Sequence, residues 1–171
     1  MRSMWDASTP PHNPPTGFDA AAGYIGGDTP HVWTIDEWQR LGKLAKLPIW
    51  VQDHPRDAQH AQAEAFAALS RLYHIGCPRG SAVALDLEMA VNPGYVNAFH
   101  KVMKWAGFRV WVYGSRSVVM RNPPCDGYWV ADYTHVAHTL PGPVRAVQWT
   151  DGPVFDQSTV RYWSWRRRLW R

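Results

Sequence analysis

Residues 81–91 read S-A-V-A-L-D-L-E-M-A-V, a short apolar run that ends in two acids. Val83, Ala84 and Leu85 suit a strand buried on both faces. Side chains alternate along a strand, so Asp86 and Glu88 share one face and Leu87 takes the other. Two carboxylates side by side at the end of an apolar strand repel each other and lose water. That raises the pKa of at least one of them, as a general acid requires. A strand end that has simply reached solvent would also carry acids, so the pair alone leaves both readings open.

Outward from this strand the chain alternates. Upstream, Asp57–Ile75 is alanine-rich, with Ala61, Ala65, Leu69, Leu72 and Tyr73 on one helical face. Before it, Leu47–Gln52 reads as a strand. Thr34 and Glu37 form a capping box that opens a helix over Thr34–Lys46. Ala22–Ile25 reads as a strand broken by Gly26-Gly27, and Arg2–Ala7 as a first strand with Asp6 at its tip. Downstream, Asn92-Pro93 starts a helix that runs to Trp105. Phe108–Tyr113, Gly127–Tyr133 and Val144–Trp149 follow as strands, with only a short helix or turn after the first of them. Pro153–Val160 carries Asp156.

Apolar strands alternating with helices predict a parallel sheet covered by helices. The later connections are too short for full helices. The expected fold is therefore α/β: a modified (β/α) TIM-like barrel with short or missing late helices. It occupies residues 1–160 as one domain, followed by a basic Trp/Arg-rich segment over 161–171.

The chain has 171 residues, 46% hydrophobic and 19% charged, enough for a folded core. Its net charge of +4 fits cell wall, nucleic acid or a membrane surface as surroundings and does not choose among them. Cys77 and Cys125 show neither metal-ligand spacing nor a disulfide framework, so two free thiols are expected. No apolar run follows Met1 as a signal peptide would, and none is long enough to span a membrane. His135 and His138 are close in sequence, but no H-E-x-x-H set occurs among the histidines. Ser115 lacks a G-x-S-x-G elbow, and no phosphate-binding glycine loop is present.

In a parallel barrel the reactive groups gather at the C-terminal ends of the strands. Asp6, Asp86, Glu88, Asp132 and Asp156 all fall at such ends, with Tyr113, Trp129 and Gln148 on or near them. Acids, aromatics and an amide at one mouth suit a sugar, which stacks its ring faces and hydrogen-bonds its hydroxyls.

The D-L-E pair, F-R-V-W-V-Y-G-S, G-Y-W-V-A-D-Y, V-Q-W-T and F-D-Q resemble the strand ends of the family 25 glycoside hydrolases, the Chalaropsis-type lysozymes. The start, W-D-A-S-T-P-P with A-G-Y-I-G-G and W-T-I-D-E-W, looks closer to the related glycoside-hydrolase-like DUF1906 domains of actinobacteria and actinophages. The resemblance spans about Trp5 to Asp156 and rests on the order of short motifs. It implies cleavage of the β-1,4 bond after N-acetylmuramic acid in peptidoglycan, with no metal or organic cofactor. Carried over by position, Glu88 would be the general acid/base. Asp86 would stabilise developing positive charge or orient the substrate N-acetyl group. Asp6 and Asp156 would complete the catalytic cleft. Tyr113 and Trp129 would flank the sugar, with Asp132 and Gln148 also lining the substrate site. A strand rise of ~3.3 Å per residue leaves a retaining or an inverting outcome open.

Peptidoglycan or another wall glycan is thus the expected partner. Other phage tail proteins are a further one, and no specific nucleic acid is implied. The setting would be a phage virion, or the host cytoplasm before release to the wall. A different class of function, a non-catalytic virion or glycan-binding barrel, keeps the same cleft without turnover. The tail R-Y-W-S-W-R-R-R-L-W-R could bind anionic polymers, or pack its tryptophans on the barrel while its arginines face water.

Overall fold

A computed structural model describes residues 1–52, 54, 57–87, 92–161 and 169–170. The strands close into a barrel in chain order: β1 (Arg2–Asp6), β2 (Ala20–Gly27), β3 (Ala45–Gln52), β4 (Ala82–Leu87), β5 (Arg109–Ser115), β6 (Gly127–Ala131), β7 (Val144–Thr150) and β8 (Asp156–Val160). The first seven pair in parallel, as expected. The last does not: β8 runs antiparallel to both β7 and β1. The connection from Asp151 to Phe155 is too short for a crossover, so the chain can only turn back and seal the barrel as a hairpin strand.

Helices α1 (Ile35–Arg40), α2 (Ala58–His74), α3 (Pro93–Trp105) and α4 (Arg116–Val119) follow β2, β3, β4 and β5. Neither β6 nor β7 is followed by a helix, in line with the expected truncation of the later part. Each N-terminus is capped as its sequence dictates. Thr34 and Glu37 exchange both bonds of the capping box. Asp57 accepts from the amides of Gln59 and His60, and Asn92 from that of Tyr95.

The helix expected over Thr34–Lys46 stops early, at Arg40. Gly42 turns the chain at φ 56°, and the Ala45 amide bonds to Asp19 O, drawing the following residues into the sheet. Strand β2 also differs: it continues through Gly26 and Gly27 with a register shift between Tyr24 and Gly26, where a break was expected. These glycines are needed for packing. At Gly27 (φ 87°) a Cβ would lie 2.0 Å from Val51 O, and at Gly26 it would lie 2.5 Å from the Trp50 ring.

Alternation along the strands splits the core in two. Met4, Ala20, Ala22, Leu47, Ile49, Ala84, Trp111 and Trp129 fill the barrel interior. Alanines leave the room that the two indoles take, so the barrel is packed rather than open. On the outside, Val83, Leu85 and Leu87 meet Ala61, Ala65, Leu72, Val96 and Phe99 of the helices. At the base, Leu169 joins the interior cluster, and Trp170 bridges to Lys46 and packs its ring at a tilt against Trp38. That part of the tail packs on the barrel; residues 162–168 and 171 lie outside the described ones. Both cysteines are free thiols, and burial pushes each up to about 12. No helix among the described residues is long and apolar enough to cross a membrane.

Candidate active site

The strand alternation that places Met4, Ala84, Trp111 and Ala146 inside the barrel puts the residue two further on at its mouth. Those residues are Asp6, Asp86, Tyr113 and Gln148. All four strands run the same way, so these side chains share the C-terminal end. Asp6, Asp86 and Gln148 are 4%, 2% and 1% exposed, a depth at which an acid is unusual without a purpose.

Asp156 reaches the same mouth by the opposite route. It was expected at the end of a late parallel strand, but it opens β8. Because β8 is reversed, its first residue pairs in register with Asp6, the last residue of β1. The reversal is what brings the two acids together.

The charges at this mouth are unequal. Burial, and then the charge of Asp156, hold the Asp6 carboxyl well above the usual range. Asp6 Oδ1 is buried and has no hydrogen-bond partner among the described residues. Burial also raises Asp156, but its carboxylate accepts from the Gly152 amide at 2.8 Å and from the Gln148 side chain, which both favour ionisation. Asp6 therefore keeps its proton to higher pH than Asp156 does.

Gln148 is the hinge of a polar chain. The Tyr113 hydroxyl donates to Gln148 Oε1, which leaves the Gln148 amide N–H groups for Asp156. Burial, with the charges of Asp86 and Asp6, raises Tyr113 well above the ordinary phenol range, so its hydroxyl stays neutral and donating. The Tyr113 ring rests on Trp129, centroids 4.5 Å apart. Trp129 is itself buried inside the barrel, with its Nε1–H donating to Ser158 Oγ at 3.0 Å. It backs Tyr113 rather than surfacing in the cleft.

One expected member stands apart. Asp132 lies one residue past β6, on the opposite parity from Trp129. Its Oδ2 sits 3.1 Å from His138 Nε2, a contact of the rim loop. Glu88 lies outside the described residues. One participant was missed: Tyr133 hydrogen-bonds Tyr113 and feels the charges of Asp156, Asp151 and Asp6. Its signal was available, since Trp129, Ala131 and Tyr133 share one parity. Among the described residues no three potential metal ligands cluster.

A deeply buried acid that holds its proton, a second acid whose upward shift two donors moderate, a third beside a neutral phenol: this set can donate a proton and stabilise positive charge.

No protein-family model matches the sequence, and the comparison with curated proteins finds no match. Solved structures do match. An uncharacterized protein of B. stearothermophilus superposes at TM-score 0.81 with 16% identity, over 99% of this chain and 100% of that one. The modular autolysin LytC of Streptococcus pneumoniae, solved with a synthetic peptidoglycan ligand, gives 0.69 and 16% over 92% of this chain. The chain spans about half of LytC, 46% of its length. GHIP, a glycosyl hydrolase 25 of the same organism, gives 0.69 and 12% over 95% of this chain and 88% of its own. At these identities the likeness is one of fold: a closed (β/α) barrel of the kind found in glycosyl hydrolase family 25.

Proposed function

We propose that the protein is a glycoside hydrolase of muramidase type that cuts the glycan of bacterial peptidoglycan. The observation that carries this reading is the convergence of Asp6, Asp86, Asp156, Tyr113 and Gln148 at one barrel mouth. Glycosidic cleavage needs a proton for the leaving oxygen and negative charge beside an oxocarbenium-like centre. Glu88, two positions beyond Asp86 in sequence, is the acid in this scheme. Asp86 stabilises the positive charge or orients the N-acetyl group of the substrate. Asp156, whose carboxylate form Gly152 and Gln148 favour against the upward pull of burial, adds negative potential, and Asp6 tunes it by taking or releasing a proton. Tyr113 offers the stacking face and a hydroxyl donor, with Trp129 behind it.

Release of reducing sugar from purified peptidoglycan tests the reading, wild type beside Glu88→Gln. Release by the wild type alone is expected. No release by the folded wild type on several wall types would favour a glycan-binding barrel without turnover.

A further inference from the structure

We propose that the outward face of the α2–α3 pair is a second binding surface, remote from the barrel mouth, that takes a carboxylate-bearing wall glycan strand. Only the choice of occupant rests on the hydrolase reading.

The surface stands out by what it exposes. Among the described tryptophans only Trp105 is exposed, and it is 80% so; Phe66 is 56% exposed. The two rings flank a groove of about 300 Å³ lined by Gln62, Phe66, Lys101, Val102 and Trp105. Gln62 and Phe66 are one turn apart on α2, as Lys101 and Trp105 are on α3, so the groove follows both helices. Exposed aromatics rimmed by polar groups mark a contact surface rather than chance exposure.

Its charge selects the ligand. Glu64 is the one acid in either helix, and its carboxylate accepts from Trp50 Nε1 and the Tyr95 hydroxyl on the barrel side. Lys101 and Lys104 remain on the outer face with no acid of α2 or α3 beside them. Flat rings suit sugar faces, the Gln62 amide suits hydroxyls, and the lysines suit the carboxylates that muramic acid and its peptides carry. A symmetric dimer through this face would set its lysines against themselves. The apolar part is too small to enter a bilayer deeply.

The surface cannot compete with the mouth. α3 leaves the C-terminal end of β4 and returns to the start of β5, so Trp105 lies toward the opposite end of the barrel. The two sites could hold one strand and cut another, or keep the protein on an insoluble wall between cuts.

Retention on purified sacculi stripped of teichoic acid tests this, in a Glu88→Gln background that does not turn over. Trp105→Ala and Lys101→Glu are each expected to weaken retention roughly three- to tenfold, the size of one aromatic or ionic contact. In the active background, Trp105→Ala should leave hydrolysis of a short soluble muro-oligosaccharide unchanged. Wild-type retention by both variants overturns the proposal. So does loss of self-association alone, or binding to phosphatidylglycerol vesicles without binding to sacculi. If nothing is hydrolysed yet retention depends on Trp105, the hydrolase reading fails and the surface stands.

Discussion

Asp6 and Asp156 are register partners across the antiparallel seam of β1 and β8, and the charge of one raises the pKa of the other. This pair sets the electrostatics of the mouth, and it costs stability. The folded protein holds the Asp6 proton to higher pH than the unfolded chain, where the ordinary value is 3.8. Stability therefore falls as pH rises from that value through the raised folded pKa, and the loss is complete above it.

Asp6→Asn removes this cost. It should stabilise the protein at neutral pH by roughly 1 kcal/mol, a rise of about 2–4 °C in Tm. The gain should shrink as pH falls toward the unfolded carboxylate range. Thermal melts at several pH values check the sign; a constant gain at all pH values would count against the raised carboxyl. Activity should fall as stability rises.

Gln148→Leu removes the acceptor of the Tyr113 hydroxyl and a donor to Asp156 together. Leaving buried polar groups unpaired should cost about 1–3 kcal/mol. The activity profile should also move to higher pH, because Asp156 loses a bond that favours its ionised form. Loss of stability with an unmoved profile would show that Gln148 is only structural.

Gly17 and Gly27 have nearly the same φ, 85° and 87°, but different surroundings. A Cβ at Gly17 meets nothing within 4 Å, whereas one at Gly27 collides with Val51 O. Gly27→Ala should thus exceed Gly17→Ala in cost by about 1–3 kcal/mol. Equal costs in denaturant titrations would mean that β3 yields to the added methyl.

Leu169 joins the barrel interior from the far end of the chain. Leu169→Ala should destabilise by about 2–4 kcal/mol if it truly closes the base. A neutral result in chemical denaturation would make the tail an appendage.

Much of this was legible in the sequence because buried strands and capped helices carry local signals. The capping box at Thr34, the Asn92-Pro93 start and the S-A-V-A-L-D run each act within a few residues. The reversed β8 was not legible, since D-Q-S-T-V alternates the same way read in either direction. Only the short loop from Asp151 to Phe155 forces the turn. The end of α1 was set by distant partners too: Ala45 bonds to Asp19, and Lys46 to Trp170. Position at strand ends singled out Asp6, Asp86, Tyr113 and Gln148 in the sequence, while parity was applied only along the Asp86 strand. Applied along β6 as well, it would also have found Tyr133 and turned Asp132 outward. Depth is what parity cannot supply, so the burial of Trp129 had to be seen.

The most direct test of the central claim is the identity of the new reducing end after digestion of purified peptidoglycan. Borohydride reduction followed by acid hydrolysis and mass spectrometry should yield muramitol from the wild-type digest and none from Glu88→Gln. Reduced glucosamine instead, or peptide fragments with no new reducing ends, would contradict a muramidase at this barrel mouth.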